Sequence, residues 1–486
     1  MRHALPLRSL TLIAVAAAAV LAGCVNLAPD YQAPALPVPA TLPSANVEAA
    51  TPLDAGWRDF FVEPKLRAVI ELALANNRDL RVAALNIERA RAQYGIARAG
   101  LFPTIDAGAG GSRSRTPGSL STGGEPRYAT QYSADLGLTS YEIDLFGRVR
   151  NLSEAALQSF FQTEATQRGT QISLVASVAT AWLQLAADEQ RLQLARHTLE
   201  SQRRSFDLIQ RGHGLGAQSG LALAQAQSTV DAARADAAAF DSQVEQDRNA
   251  LALLVGATPP AELLPTPAAT DPGTATASAA TAEPAPAARL LVPPAGLPSS
   301  VLQQRPDVLA AEHALRASNA DIGAARAAFF PRIALTASAG TASSTLSGLF
   351  ASGSSAWSFA PSISVPIFDG GANRANLRVA EAQQKIQLAS YEKTVQTAFR
   401  EVADALAERR TLAERLDAQR SLLDATSRSF SLSQSLFRSG ASSYLDVLDA
   451  QRAYYAAQQT LIGLQLTEQT NRLTLYKVLG GGWKES

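Results

Sequence analysis

The feature that most constrains this chain is a motif that occurs twice at a fixed spacing. The first copy, ARAGLFPTI, spans Ala97 to Ile105, and the second, ARAAFFPRI, spans Ala325 to Ile333, 228 residues later. A second pair of similar segments, Gly216 to Gln227 and Gly440 to Gln451, is related by an offset of 224 residues. Two matches at nearly one offset indicate an internal duplication, so we expect a protein of two similar halves.

Each copy of the motif predicts a switch from helix to strand. An Ala- and Arg-rich helical pattern ends at a Phe-Pro pair, Phe102-Pro103 in the first half and Phe330-Pro331 in the second. Proline disfavours the α conformation in the residue before it and cannot donate a helix hydrogen bond. Beyond each proline the apolar residues alternate, which predicts strands.

The alternation predicts one β-hairpin in each half, over about 101–147 and about 329–370. In the first hairpin the apolar phase shifts near Tyr141, as a bulge would cause. In the last strand the apolar residues alternate without a break from Trp357 to Ile367, and serines occupy the other face.

Long helices are predicted to fill most of the remaining chain, over about 64–99, 151–210, 217–255, 301–328, 373–438 and 444–479. The longest would extend roughly 90–100 Å at 1.5 Å per residue. Two shorter helices laid end to end would match one long helix, which predicts an antiparallel arrangement with strands at one end and reversals at the other. Apolar residues at spacings of three and four predict a coiled-coil seam: Ile172, Val175, Ala179, Trp182 and Ala186.

The N-terminus has the pattern of a bacterial secretory signal. Positive charge precedes an apolar run from Leu10 to Leu21, which is too short for a comfortable membrane span. The run ends in LAGC, which resembles the lipobox of bacterial lipoproteins, and its last residue, Cys24, is the chain's single cysteine. We therefore predict lipid attachment at Cys24, and Val25 after it resembles outer-membrane sorting signals.

These patterns predict the following organisation along the chain. The segments are a signal peptide (1–23), a lipid-anchored tether (24–56), a first repeat (57–256), a Pro/Ala/Thr-rich linker (257–298), a second repeat (299–479) and a C-terminal tail (480–486). The linker is too rich in Pro, Ala and Thr for us to assign structure to it.

Composition argues against several classes of function. The formal net charge is zero, which gives no support for nucleic-acid binding. One cysteine excludes a disulfide framework and a thiolate metal site. None of the four histidines has a second ligand at metal spacing, and no nucleophile elbow or phosphate loop is present. We expect no enzyme activity, cofactor or metal. His313 is predicted to lie on a helix surface, and His213, in the first reversal, is a candidate for pH sensitivity.

Four strands with one apolar and one small or polar face are typical of outer-membrane barrels. Four strands cannot close a barrel, and an open sheet edge cannot lie in lipid. We therefore expect a barrel shared between subunits, with three copies supplying twelve strands. The structural alternative is a pair of soluble hairpins that cap a helical bundle.

At this point the chain resembles a known family, the TolC-like outer-membrane efflux proteins, in the NodT-type lipoprotein branch. The matching stretches keep the family's order along nearly the whole mature chain: Gly23 to Pro34, Tyr141 to Arg150, Gly296 to Glu312, Ile322 to Ile333, Val365 to Gly371 and Tyr444 to Gln451. The Pro/Ala/Thr tract around Leu264 to Leu290 is longer than the family's usual connection.

The resemblance implies a mainly α protein with membrane β structure that acts as a homotrimer. A twelve-stranded barrel would lie in the lipid of the outer membrane of a Gram-negative bacterium, and an α-helical tunnel would project into the periplasm. The trimer would be the exit duct of a tripartite efflux pump, with a periplasmic adaptor protein and an inner-membrane transporter of the RND type.

The resemblance also locates a channel aperture near the second reversal. The matching positions are Leu445 and Asp449, with Asp446 nearby. Residues four apart share a helix face. Threefold symmetry would turn each position into a ring, and an acidic ring attracts cations. The alternative is that both acids are ordinary solvated helix residues, but the first half has Leu221, Ala222 and Gln225 at the equivalent places and no acid.

The two reversals are the places where an adaptor would dock. Their residues are Arg211, Gly212, Gly216 and Ser219 in the first and Arg438, Gly440 and Ser443 in the second. The alternative is that Gly and Ser only turn the chain there. Two other functions stay open beside a small-molecule efflux duct: the exit duct of a type I protein-secretion system, and a non-conducting coiled-coil lipoprotein.

Overall fold

The computed structural model describes residues 25–42, 56–266 and 298–481. Among these residues the helices and strands follow in the order α1 (Trp57–Phe60), α2 (Pro64–Asn76), α3 (Arg78–Ala99), β1 (Ile105–Thr116), β2 (Arg127–Ile143), α4 (Arg148–Gly214), α5 (Gly220–Val255), α6 (Pro306–Ala327), β3 (Arg332–Ser343), β4 (Ser355–Ser364), α7 (Ala372–Arg438) and α8 (Tyr444–Val478). Short 3₁₀ turns lie at Gly118–Leu120, Ala261–Leu263, Ser299–Gln304 and Leu346–Gly348.

Most of these elements match in length between the two halves, although β2 has 17 residues and β4 has 10. Helices α4 and α7 have 67 residues each. Helices α3 and α6 have 22 each, and strands β1 and β3 have 12 each. At 1.5 Å per residue, each of the two longest helices extends about 100 Å. The duplicated plan expected from the sequence is confirmed at the level of its elements.

The chain forms two compact units, and each of them draws on both halves. The strand unit takes the N-terminal residues up to Ala35 together with Leu85–Ala165 and Leu309–Lys393. The helical unit takes Leu36–Ala84, Thr166–Val308 and the chain from Thr394 onward. The duplication therefore does not divide the molecule into two sequential domains.

In the strand unit the four strands form one antiparallel sheet in the order β1-β2-β3-β4. Both predicted hairpins are present, and β2 pairs with β3 to join them. The register of β2 against β3 shifts between Leu138 and Tyr141, where the sequence predicted a bulge. Edges β1 and β4 have no strand partner within the described part of the chain.

The prediction that the last strand continues to Ile367 is wrong. Strand β4 ends at Ser364, which pairs with Arg332, the first residue of β3. Beyond that pair β3 offers no partner, because Pro331 precedes it. Pro366 also lacks an N–H with which to continue a ladder.

The predicted single helix over 64–99 is also wrong, since the chain breaks at Asn77 between α2 and α3. The Asn77 backbone is extended, with ψ at 132°. Its side-chain Oδ1 accepts from the backbone N–H of Leu80 at 2.9 Å, which caps the start of α3. Its Nδ2 donates to the carbonyl of Leu254 at 2.8 Å, near the end of α5.

The helix predicted over 301–328 begins later than expected. Residues Ser299–Gln304 form a 3₁₀ turn, and α6 begins at Pro306. The residue before a proline avoids the α region, and Arg305 accordingly has an extended backbone, with ψ at 137°.

The core of the helical unit contains most of the predicted coiled-coil seam. Val175, Ala179, Trp182 and Ala186 are buried there. The ring of Phe60 stacks on the ring of Tyr476, with centroids 4.3 Å apart. Within the described ranges, α4 is the one helix with a window apolar enough to cross a membrane, but 56% of that window is buried. We interpret that window as core.

The beginning of the predicted linker is ordered. The indole N–H of Trp182 donates to the carbonyl of Leu263 at 3.1 Å, and the ammonium of Lys65 donates to the hydroxyl of Thr266 at 2.8 Å. Composition alone assigns no structure to residues 257–298. Residues 267–297 lie outside the described part of the chain.

Residues 25–42 have no helix or strand, as expected of a tether, but they are held by specific contacts. In the strand unit the Leu27 carbonyl accepts from Arg326, and the Pro29 carbonyl accepts from Asn319 at 2.7 Å. The hydroxyl of Tyr31 donates to Glu312 at 3.2 Å, so this segment follows α6. The signal peptide and Cys24 lie outside the described residues.

Candidate functional site

The two reversals of the helical unit pack against each other. Ile209 and Ala226, on either side of the first reversal, form a buried cluster with Tyr444, Val447 and Leu448, which follow the second. We call these five residues the turn cluster. The residues predicted to dock an adaptor, separated by more than 200 positions in sequence, therefore belong to one structural feature.

The two reversals have the same backbone design. Gly216 and Gly440 have φ of +74° and +76°, a region in which glycine is favoured, and each ends a helix in the left-handed conformation. No atom lies within 4 Å of where a Cβ would stand at either glycine. Ser219 and Ser443 then cap the return helices by accepting from a backbone N–H three residues on. These residues therefore turn the chain at both reversals, and their role in docking stays a prediction.

The first reversal contains fewer residues than the sequence predicted. Helix α4 continues through Gly212 to Gly214, so Gly216 is the glycine that turns the chain. A Cβ at Gly212 would lie 2.8 Å from the side chain of Gln218. His213 Nδ1 lies 2.9 Å from the carbonyl oxygen of Gln218, so its ring is fixed to the turn.

Two of the predicted aperture residues project from the same exposed face of α8. Leu445 is 45% exposed although it is a large apolar residue. Asp449, one turn further along, is exposed and pairs with Arg452 at 3.5 Å. Sequence reasoning missed Arg452, whose three-residue spacing from Asp449 was the available signal. The exposed face therefore combines an apolar side chain, a carboxylate and a guanidinium.

The third predicted aperture residue, Asp446, has a structural role that the sequence analysis did not assign. Its Oδ2 accepts from the backbone N–H of Ser443 at 3.0 Å, while the Ser443 hydroxyl accepts from the backbone N–H of Asp446. This reciprocal pair is a capping box. Asp446 stabilises the start of α8 whether or not it also faces a channel.

Tyr444 is a residue of this region that the sequence analysis missed. Its ring lies 5.5 Å from that of Phe437, across the second reversal. Its side chain is buried in the turn cluster, and this burial raises the pKa of its hydroxyl. The available sequence signal was a pair of aromatic residues, Phe437 and Tyr444, on the two sides of the Gly440 turn.

Exposed leucines surround both reversals. They are Leu208, Leu215 and Leu221 near the first and Leu432, Leu436 and Leu445 near the second. Large apolar side chains exposed together commonly mark an interaction surface.

In the strand unit the sheet has one apolar and one polar face. Opposite residues of paired strands lie on the same face, so the register assigns every side chain. The apolar face includes Ile105, Leu136, Leu138, Trp357, Phe359 and Ile363. Small and polar residues occupy the other face, together with Asp106, Asp135 and Glu142. The two-faced strands predicted from the sequence are confirmed.

The two helix-to-strand switches are confirmed in position. Helix α3 ends at Ala99 before Phe102-Pro103, and α6 ends at Ala327 before Phe330-Pro331. Phe330 stacks on Phe146, with ring centroids 4.7 Å apart, while Phe102 is exposed.

No group of three or more His, Cys, Asp or Glu residues that could hold a metal ion occurs within residues 25–42, 56–266 and 298–481. The features that dominate the described chain are instead an open two-faced sheet and a pair of packed helical reversals. These features are typical of a subunit of a β-barrel membrane channel.

Comparison with known proteins agrees with this class. The outer membrane efflux protein family model matches residues 69–257 and 297–481. The chain is 46% identical over 484 residues to the antibiotic efflux pump outer membrane protein ArpC of Pseudomonas putida, and the match covers 98% of this chain and 96% of ArpC. It has the same identity and coverage with the toluene efflux pump outer membrane protein TtgC, also of Pseudomonas putida.

A solved structure shows the same fold. The open state of the MtrE outer membrane channel of Neisseria gonorrhoeae superposes with a TM-score of 0.83 at 40% identity, covering 95% of this chain and 99% of MtrE. The chain therefore belongs to the outer membrane efflux protein family. The family resemblance, the outer-membrane location and the efflux function expected from the sequence are confirmed.

Proposed function

We propose that three copies of this chain form the exit duct of a tripartite efflux pump, which carries small molecules out through the outer membrane. The observation that carries the proposal is the open sheet. Its edge strands β1 and β4 lack partners within the described chain, and one face is apolar. Unpaired backbone groups are too costly in lipid, so β1 of one copy must pair with β4 of the next.

Three is the smallest number of copies that gives an open barrel. Three sheets of four strands give twelve, an even number within the range of outer-membrane barrels. Two sheets would give eight, and the interior of an eight-stranded barrel is filled by side chains. A duct requires an open interior. Large apolar residues on the helices of the strand unit, Ile96, Val379 and Ile386, are exposed in one copy and would be covered by neighbouring copies.

Lipid attachment at Cys24 fits the course of the N-terminal segment. Leu27, three residues after Cys24, is held by Arg326 near the end of α6, just before β3 begins at Arg332. Three residues reach at most about 10 Å. An acyl chain on Cys24 would therefore enter the membrane beside the start of the barrel strands.

The paired reversals form the proposed entrance and adaptor-docking end. The turn cluster fixes both reversals relative to each other, and exposed leucines surround them. In a trimer, Leu445 would form an apolar ring and Asp449 an acidic ring, which would favour cations. The adaptor would contact the reversals and connect the duct to an inner-membrane transporter of the RND type.

The proposed cargo is small and apolar or amphiphilic, as the relatives named for antibiotics and toluene suggest. Small and polar side chains cover most of the proposed inner face of the sheet, together with the carboxylates of Asp106, Asp135 and Glu142. Such a surface offers few side chains that could distinguish one small apolar molecule from another. We therefore assign selection of the cargo to the inner-membrane transporter. The competing function is the exit duct of a type I protein-secretion system. Gene deletion separates the two, since the first predicts lost drug tolerance and the second lost secreted protein.

Single-channel conductance in planar bilayers tests the duct and its entrance together. We would compare the wild type with a Leu445→Ser, Asp449→Ala double variant. The matched control is Leu221→Ser, Gln225→Ala, which changes the equivalent positions of the first reversal. We expect low, cation-preferring conductance in the wild type and in the control, and a sharp rise in the Leu445/Asp449 variant.

The other outcomes are equally informative. Equal, sizeable conductance in all three proteins would retain the duct and refute the entrance. A similar rise in both variants would show that the second reversal is not special. No conductance from well-folded preparations would refute the duct itself.

A further inference from the structure

The apolar face of the sheet carries charge at two positions only. The register places 25 strand residues on this face, and all of them are uncharged except Arg113 and Arg115 of β1. Arg113 lies opposite Thr130, and Arg115 lies opposite Tyr128. Both arginines are therefore on the face that the proposed barrel turns toward lipid.

The two arginines lie at the hairpin end of the sheet, away from the helices. Arg113 and Arg115 follow Ile105, the first residue of β1, by eight and ten residues. At about 3.3 Å per residue and a tilt of about 40°, they stand roughly 20 and 25 Å above the level of Ile105. The apolar band of an outer-membrane barrel is about 25 Å tall. The arginines are thus at its outer edge, beside the external leaflet.

Both guanidinium groups lie near the same aromatic ring. The guanidinium carbons of Arg113 and Arg115 lie 5.7 and 5.9 Å from the ring centroid of Tyr128. These are cation–π distances. Neither arginine forms an ion pair with a described residue, and the strand carboxylates Asp106 and Asp135 are on the opposite face. Two positive charges therefore stand together without an anionic partner from the described chain.

We propose that Arg113, Arg115 and Tyr128 form a binding site for the phosphate groups of the anionic glycolipid in the external leaflet of the outer membrane. Guanidinium groups bind phosphate with two parallel hydrogen bonds. An arginine on the lipid face is costly at the bilayer midplane but nearly free of cost at the interface. The site rests on the barrel orientation in the proposed function.

Phosphate chemistry explains why two arginines occupy this place on an otherwise uncharged face. A single interfacial arginine needs no ligand, because its long side chain reaches water. Two adjacent guanidinium groups over one ring repel each other, and a phosphate between them removes that repulsion. The neighbouring sugar-linked groups of a glycolipid would meet the phenol of Tyr128, which is exposed.

The test measures binding of purified lipopolysaccharide to the full chain in a non-ionic detergent. The variant is Arg113→Gln, Arg115→Gln. The control is Arg127→Gln, because Arg127 is at the same end of the hairpin but on the opposite face, paired with Thr116. At about 1 kcal/mol for each arginine near an anionic surface, we expect about 30-fold weaker binding by the double variant. The control should bind within about twofold of the wild type.

Three results would overturn the site. They are equal binding by the wild type and the double variant, equal losses in the variant and the Arg127 control, and undiminished binding of lipopolysaccharide whose phosphates have been removed. Equal affinity for phosphatidylglycerol would also refute the assignment to the glycolipid. An Arg113→Lys, Arg115→Lys variant should bind more weakly than the wild type but more tightly than the Gln double variant, because lysine keeps the charge and loses the paired hydrogen bonds.

Conductance of the double variant distinguishes this inference from the proposed function. Normal conductance without the loss of glycolipid binding would refute the site and leave the duct. If the wild type neither conducts nor inserts in a bilayer, the duct fails, and the lipid-facing orientation on which the site depends fails with it.

Discussion

Arg305 offers a sharp test of how the helical unit is held together. Its side chain is 9% exposed, and its guanidinium joins three elements. Nη1 donates to the carbonyl of Val478, the last residue of α8, at 2.8 Å. Nη2 donates to Glu401 of α7 and to Asp307 of α6, at 2.8 Å each. We expect the Arg305→Ala variant to loosen the end of α8.

The expected loss in free energy of unfolding follows from these contacts. The side chains of Asp307 and Glu401 are 49% and 38% exposed, so water can solvate both carboxylates once Arg305 is removed. Each ion pair therefore contributes at most about 1 kcal/mol to stability. The carbonyl of Val478 is the more demanding partner, because an unsatisfied buried acceptor costs about 1–3 kcal/mol. The total is about 3 kcal/mol. For a chain of this length that corresponds to about 3 °C in Tm.

Thermal unfolding of the purified protein in detergent measures this loss, and limited proteolysis locates it. The control is Arg58→Ala, which removes an ion pair with Glu71 in which both side chains are about half exposed. The control should shift Tm by less than about 1 °C. The Arg305 variant should also expose the C-terminal end of α8 to protease. Equal Tm values for the two variants, with unchanged proteolysis, would refute the assigned role of Arg305.

Two further changes test other contacts of the helical unit. Gly256→Ala should lower the free energy of unfolding by about 2–3 kcal/mol, because φ is +77° and a Cβ would lie 2.5 Å from the carbonyl oxygen of Asn76. The control, Gly440→Ala, has φ of +76° but open space around the Cβ, and it should lower the free energy of unfolding by about 1 kcal/mol. Equal losses of Tm in the two variants would contradict the clash at Gly256. Burial, together with the adjacent Asp188, raises the pKa of Asp247 from 3.8 to about 6, so its contribution to stability is full below pH 3.8 and is lost as the pH rises through 6. Because Asp247 is partly exposed, the loss in free energy of unfolding is about 1 kcal/mol. The Tm of Asp247→Asn relative to that of the wild type should therefore rise between about pH 4.5 and about pH 7.5. Parallel curves of Tm against pH for the two proteins would contradict this reasoning.

The sequence predicted those parts of the fold that depend on local pattern. Proline at 103 and 331 ends a helix wherever it occurs, so both switches could be located to within a few residues. The bulge near Tyr141 followed from a change in alternation, which is also a local signal. The duplication then allowed each half to check the other, and the equal lengths of α4 and α7 agree with that check.

The errors arose where two local signals competed or where a distant partner decided the outcome. Asn77 has an N-cap side chain, but apolar spacing continues across it, so the two local signals predict different structures. Its bond to Leu254, 177 residues away, is invisible in the sequence. The contacts of Tyr31 with α6 span 281 residues and were equally out of reach.

The proposed glycolipid site was missed for a third reason. Alternation of apolar residues in β1 could be followed only as far as Ala109, because Gly111 and Arg113 are not apolar. The face becomes recognisable once Gly111 is paired with Tyr132 and Arg115 with Tyr128. A Cβ at Gly111 would lie 3.1 Å from the Tyr132 ring, so the glycine leaves room for the aromatic side chain across the strand.

The difference between the two reversals narrows the search for the entrance residue. Both return helices begin with a serine N-cap, but only the second has an acid, Asp446, to complete the capping box. Ala222 stands at that place in the first reversal. One of the two extra acids is therefore explained by helix stability alone. Asp449 has no role in the cap, and its exposed carboxylate contacts only its neighbour Arg452 among the ion pairs of the described chain. The proposed effect on conductance should accordingly depend on Leu445 and Asp449, not on Asp446.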